Sequence, residues 1–218
     1  MKVLHLLDSI DRGGAEMIAL DVCRNAKRFG IDLTVAVSNS GALESEFENS
    51  GADFVKLKRR FPVDLLLITK LRQIIKSKNI EIVHGYQAVE GLHLYFATIG
   101  LPVKRVLSFQ GLIASKKDIL AAKFLLPRMD ANIVVSKGFE NWLKESFNIA
   151  AIPNSKIIYN CADAARLAPQ GNSVKKEIGA EHNDFLLGMV ANFHHDGRKD
   201  QLTVCRSLPT VFRVFLFV

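Results

Sequence analysis

Two adjacent glycines, Gly13 and Gly14, separate the apolar run "VLHLL" from an amphipathic segment that begins at Ala15. Glycines at such a turn let the backbone approach a ligand closely. A helix starting there aims unpaired N–H groups and the positive end of its dipole at that ligand, which suits a phosphate. The competing interpretation is a plain tight turn with a glycine at positive φ. The third glycine of G-x-G-x-x-G is lacking and no G-K-[ST] follows, so neither a dinucleotide fingerprint nor a P-loop is present. Two further polar residues close apolar runs: His84 in "IEIVH" and Gln110 in "VLSFQ". A glutamine can donate to and accept from a hydroxyl but cannot serve as a general base. His84 fits a site role and a structural role, bonding a neighbouring loop, equally well. His194 and His195 are adjacent but lack metal-ligand partners at useful spacing.

The elements that would position these residues repeat in a regular way. Short β-rich runs ("KVLHLL", "DLTVAVS", "DFVKL", "IEIVHG", "VKRVLSF", "ANIVVS") alternate with segments of helical period. The first helix carries Ala15, Ile18, Ala19, Val22, Ala26 and Phe29 on one face and stops at Gly30. Others are expected over about 63–78, 89–99 and 137–147. Strand–helix alternation of this length means an α/β protein with a Rossmann-like parallel sheet and helices on both faces. Ligands of such sheets bind beyond the carboxyl ends of the strands, where the turn holding Gly13 and Gly14 lies.

The bulk composition sets outer bounds. The chain has 218 residues, with 29 Lys+Arg against 22 Asp+Glu, a formal charge of +7. This balance suits anionic partners, although it also serves solubility. No motif of RNA or DNA binding accompanies the charge, so nucleic acid is not expected. Three scattered cysteines offer neither a disulfide framework nor zinc spacing. The N-terminus reads as a first strand rather than a signal peptide, and no stretch is apolar enough to span a membrane. A cytoplasmic protein is expected, peripheral at the inner face of the membrane at most.

Taken in order, "GGAE", "IEIVHG", "DANIVVSKGFENWL", "KIIYNCAD", "LLGMVANF" and the basic "RKDQ" give a constellation. It resembles the retaining family-four glycosyltransferases of the GT-B fold, which have two Rossmann-like domains facing across a cleft. The resemblance implies transfer of a sugar from a nucleotide-diphosphate sugar to an acceptor hydroxyl, on a polysaccharide or lipid-linked glycan. It places Gly13 and Gly14 against the donor diphosphate. It makes Lys199, with Arg198 as surrogate for the family's usual arginine, the cations that neutralise the leaving diphosphate. At the usual arginine position stands Asn192. Gln110 occupies a place where many relatives have a histidine near the reacting sugar, and His84 is the second candidate for a catalytic role. The nucleotide sugar is a substrate, so no cofactor and no metal are expected. Relatives with lipid-linked acceptors dock on anionic membrane through basic features, for which Lys56, Lys58, Arg59 and Arg60 are candidates.

The expected organisation is a first, acceptor-side Rossmann-like domain over 1–160 and a linker over 161–184. Residues 185–218 would start a donor-binding Rossmann-like domain, as strand, helix and a last strand "VFRVFLFV". The family's glutamate pair in the second domain has no counterpart here, so the chain reads as truncated and, by itself, as a poor catalyst. Two other functions fit the same fold: a nucleotide-sugar epimerase, and a non-catalytic domain that binds an anion or a partner.

Overall fold

A computed structural model describes residues 1–111, 115–161, 174–181, 183–184, 186–191 and 200–215. The chain divides into two compact units, Met1–Leu167 and Ala168–Val218.

The first unit is built on seven parallel strands in the order β3-β2-β1-β4-β5-β6-β7. These are β1 (Lys2–Leu7), β2 (Asp32–Val37), β3 (Asp53–Lys56), β4 (Ile82–Gly85), β5 (Lys104–Phe109), β6 (Ala131–Val134) and β7 (Ser155–Ile157). Helices α1 (Gly14–Asn25), α2 (Glu44–Glu48), α3 (Leu65–Ser77), α4 (Ala88–Ala97), α5 (Lys116–Leu125) and α6 (Lys137–Phe147) connect them. The strand order reverses between β1 and β4, where Val3 pairs with Ile82 and Leu6 with Gly85. There the two connections leave in opposite directions and open a crevice. The expected Rossmann-like α/β sheet is what the chain forms.

Alternation along each strand divides the core. Val3, Leu7, Val35 and Val37 pack on one face with Ala19, Leu20 and Cys23 of α1. Leu4, Leu6 and Val83 pack on the other with Leu67, Leu71 and Ile75 of α3 and Leu94 of α4. Leu107, Phe109 and Val134 continue with Ala122 and Leu125 of α5 and Leu143 and Phe147 of α6. Because both faces are covered, β1 is apolar from Val3 to Leu7 except at His5.

Helix α3 starts at a strong cap. The Asp64 carboxylate accepts from the N–H groups of Leu66 and Leu67 at 2.9 and 3.2 Å, and from that of Arg60. The N–H of Asp64 donates in turn to His93 Nε2 at 3.0 Å. This ties the basic segment before α3 to α4. Helix α5 and strand β7 are elements that periodicity alone did not single out. β7 has only three residues, and α5 begins at a Ser115 cap whose hydroxyl accepts from the Asp118 N–H.

The second unit departs from expectation. No strand is present over 186–191, the described part of "FLLGMVANF". The expected last strand is helical as far as Phe215, as part of α8 (Gln201–Phe215), which follows the short α7 (Val174–Glu177). A strand needs a neighbour to satisfy its backbone, and no strand pairs with this segment among the described residues. A helix satisfies its own backbone, even with Pro209 inside it at the loss of one bond. Among the described residues no helix is long and apolar enough to cross a membrane.

Candidate functional site

A cleft of about 480 Å³ lies at the strand-order reversal, beyond the carboxyl ends of β1 and β4. Leu7, Asp8 and Ser9 come from β1 and its loop, Tyr86 and Gln87 from the end of β4. Helix α1 contributes Ala15 and Glu16, α4 contributes Ala88–Glu90, and α5 contributes Ser115 and Asp118. The first turns of three helices therefore converge on one cavity. Each carries its own carboxylate: Glu16 on α1, Glu90 on α4, Asp118 on α5. Acids at these positions complement the positive dipole ends.

The glycine turn is held from two sides. Gly13 is extended (φ −133°, ψ 170°), its N–H donates to Asp11 O at 2.9 Å, and its carbonyl accepts the first helical bond from Met17. Neither Gly13 nor Gly14 has a positive φ, so the tight-turn interpretation does not explain them. A Cβ on Gly14 would meet nothing within 4 Å, whereas one on Gly13 would strike the Glu16 carboxylate. Glu16 thus folds over the place where an anion would meet the helix end. Burial, with Asp11 nearby, raises its pKa. Beneath the turn, Gly41 packs directly on the backbone of Ile10 and Asp11. Leu43 N–H donates to Ile10 O at 2.9 Å, so the two loops brace one another.

Glu90 is the least expected member. It is only 6% exposed, and its Oε2 has no hydrogen-bond partner among the described residues. Burial is the main cause of a pKa raised to about 7, with Asp8 and Asp118 adding to it and Arg59 opposing. Glycines set its position. Gly85 at the end of β4 packs against the backbone of Glu90 and Gly91, and a Cβ there would lie 2.9 Å from Gly91 N.

The other candidates are dispersed. His84 lies within β4, not beyond its end. Its Nδ1 is 3.2 Å from His5 Nε2 and its Nε2 2.5 Å from Ser108 Oγ, and its ring stacks on Tyr86. Burial lowers the pKa of both histidines, that of His84 to about 4. Both are therefore neutral at physiological pH, and His84 touches the cleft only through Tyr86. Gln110 follows β5, with its Oε1 buried and unpartnered among the described residues. Arg198 and Lys199 lie outside the described residues, as do Asn192, His194 and His195.

The basic cluster separates into two pairs. Arg59 turns inward and forks onto Asp8 Oδ1 through Nε and Nη2 at 3.0 and 2.7 Å. Lys56 bonds Glu44 at 2.6 Å. Lys58 and Arg60 remain exposed, next to Phe61, Val63, Leu65 and Leu66, which are 63%, 45%, 75% and 61% exposed. Among the described residues no group of three or more His, Cys, Asp or Glu is arranged to hold a metal ion. Asp8, Glu16, Glu90 and Asp118 escaped the sequence reading. Glu90 left one usable sign, a carboxylate inside the otherwise apolar "AVEGLHLYFA".

A parallel sheet reversing at β1/β4, with a ligand-sized cleft at that point, defines a Rossmann-like domain. Residues 12–166 match the model of Glycosyltransferase Family 4, and the chain belongs to that family. It is 29% identical over 90 residues to the capsular polysaccharide biosynthesis glycosyltransferase CapH of Staphylococcus aureus, covering 39% of this chain and 24% of CapH. Anabaena HepE, solved with UDP-glucose, superposes with a TM-score of 0.67 at 17% identity, over 82% of this chain and 50% of HepE. A glycosyltransferase from Rickettsia africae gives 0.67 at 15% identity, over 84% and 50%. The chain thus spans about a quarter of the curated relative and half of these solved chains.

Proposed function

We propose that the protein supplies the acceptor-side half of a retaining glycosyltransferase that moves a hexosyl unit from a nucleotide-diphosphate sugar to a hydroxyl of a polysaccharide or lipid-linked glycan. The observation that carries this reading is the family match over the very strands and helices that form the cleft. CapH, by its name, works in capsular polysaccharide biosynthesis, and HepE was solved with UDP-glucose. In this reading Gly13 and Gly14 face the donor diphosphate, where Gly14 leaves open space. Arg198 and Lys199 are the cations for the leaving group, and residues 185–218 begin the donor-binding domain. Gln110 offers an unpartnered acceptor oxygen to a sugar hydroxyl. His84, neutral and bonded within the sheet, supports Tyr86 rather than exchanging protons. Titration with UDP-glucose, followed by the amide signals of Gly13 and Gly14, tests the donor assignment. Selective shifts of the two are expected, and their absence at saturation of any other site would refute it.

The same reading includes an anionic membrane surface as partner. Its support is the exposed apolar tip Phe61, Val63, Leu65 and Leu66 beside Lys58 and Arg60. Near a charged surface each basic residue adds about 1 kcal/mol, so the apolar tip must contribute the larger share. Lys56 and Arg59, bound to Glu44 and Asp8, contribute less than their charges imply.

A further inference from the structure

We propose that Arg59 is a ligand for lipid headgroup phosphate that Asp8 holds in reserve. On an anionic bilayer its guanidinium exchanges the Asp8 carboxylate for a headgroup, so that docking of the basic tip changes the charge of the cleft wall. This rests on the reading of an anionic membrane as partner and adds to it how contact there reaches the cleft.

Backbone direction decides which cations face outward. Beyond β3 the chain stays extended beside β2 and its loop, with Leu57 N–H donating to Val37 O at 2.8 Å and Arg59 N–H to Ser38 O at 3.4 Å. Alternate side chains therefore point to opposite sides. Lys58 and Arg60 are exposed, while the Arg59 side chain turns towards the loop after β1 and is only 21% exposed. There its Nε and Nη2 both donate to Asp8 Oδ1, at 3.0 and 2.7 Å. Asn39 Nδ2 donates to the same oxygen at 3.0 Å, so Asp8 keeps a partner when Arg59 leaves.

Two features make the pair exchangeable. The Asp8 side chain is 42% exposed, and an ion pair so open to water is about as strong as the contact of one cation with an anionic surface. Neither partner dominates, and the bilayer decides between them. The Arg59 backbone also lies between those of two exposed cations, so its aliphatic stem carries the guanidinium to the surface they mark without moving the chain. The chain itself is pinned. Arg60 N–H donates to the Asp64 carboxylate at 2.8 Å, and Asp64 N–H donates to His93 Nε2 at 3.0 Å. Nε2 thus accepts, so the His93 proton sits on Nδ1 and is donated to Val89 O at 2.8 Å.

Asp8 lines the cleft with Glu90 and Asp118. Beside burial, the main cause of the raised Glu90 pKa, Asp8 and Asp118 push it up and Arg59 pulls it down. Loss of Arg59 to a headgroup removes that opposition. By linkage, whatever neutralises Asp8 in the cleft strengthens membrane binding by the same factor.

Co-flotation of the full chain with vesicles of phosphatidylcholine and phosphatidylglycerol in equal parts tests this. Asp8→Asn, which frees Arg59, should bind about threefold more tightly than wild type, and Arg59→Ala at most about twofold more weakly. Asp8→Asn in the Arg59→Ala background should gain nothing, which separates release of Arg59 from simple loss of an acid. An equal gain in that background, or no gain in either, overturns the proposal. Heteronuclear NMR supplies a second readout. Phosphatidylglycerol bicelles should shift the Arg59 Nε–H signal and the Ser9 amide, and Arg59→Ala should abolish the Ser9 shift. A Ser9 amide that stays still, or an Arg59 shift that inorganic phosphate alone reproduces, also overturns it. Melting temperatures show that each variant is folded, and Arg59→Gln takes the place of Arg59→Ala if the latter is not. If wild type floats and Asp8→Asn floats no better, only the exchange falls; if neither floats, the membrane reading falls with it.

Discussion

Glu90 and the histidine pair His5–His84 act on stability in opposite pH directions. The folded protein holds Glu90 near pKa 7 against an ordinary 4.5, so the native state prefers it protonated. Stability from this group is full below pH 4.5 and falls as pH rises towards 7. That difference corresponds to at most about 3 kcal/mol. Glu90→Gln should therefore raise the melting temperature above pH 7 and change it little near pH 4.5, as thermal melts of both proteins would show. His5 and His84 are lowered from 6.5, His84 to about 4. Their contribution is present above pH 6.5 and is lost as pH falls towards 4, because the unfolded chain takes up the protons first. A buried acid that weakens the fold when ionised is the kind of residue kept for binding rather than for packing. Gly14 belongs at this scale too. Gly14→Val adds a side chain where nothing lies within 4 Å and where φ is not positive. The melting curve should move by less than about 1 kcal/mol, since glycine itself is a poor helix residue. The amide response to UDP-glucose should nevertheless be lost.

At the scale of elements, the cleft depends on two close approaches. Gly85→Ala would push β4 from the first turn of α4, since the new Cβ meets backbone rather than a flexible side chain. A cost of about 1–3 kcal/mol in denaturant unfolding is expected, with Glu90 displaced along with α4. Gly41→Ala should cost as much through the Ile10–Asp11 backbone, but should chiefly disturb the Gly13–Gly14 turn. The start of α3 is a separate element with a separate readout. Leu65 and Leu66 are exposed while Leu67 is buried, so a Leu65→Ser/Leu66→Ser variant should keep its fold. It should co-float with vesicles containing anionic lipid at least about fivefold less than wild type, and neutral vesicles should bind both weakly.

For the whole molecule, the proposed function gives charge neutralisation at the donor to backbone N–H groups, Arg198 and Lys199. Where nucleotide-sugar binding or transfer is observed, a chelator should leave it intact. Loss with EDTA and recovery with Mn²⁺ would assign that task to a metal ion. The net charge of +7 is distributed unevenly over the surface. Acids line the cleft, while Lys58 and Arg60 flank the exposed apolar tip. Vesicle binding should thus weaken as salt screens the basic pair.

The amino-acid order by itself determined the repeating frame. Apolar-rich runs such as "KVLHLL" and "DLTVAV", with helical periods between them, favour strands buried on both faces and helices laid over them. That signal is local, because each run must bury itself wherever its neighbours lie. The glycine turn after β1 was legible for the same reason. The acids of the cleft were not: Asp8, Glu16, Glu90 and Asp118 are far apart in the chain, and only the order β3-β2-β1-β4-β5 brings their elements around one crevice. The structure likewise decided that Arg59 serves Asp8, since β2 pairs with both β1 and β3, and that His84 bonds His5 and Ser108, since β4 pairs with both β1 and β5. The run "VFRVF" shows the limit from the other side. Its residues suit a strand, but a strand exists only with a partner to pair with, and with none among the described residues the backbone closes its hydrogen bonds on itself as the end of α8.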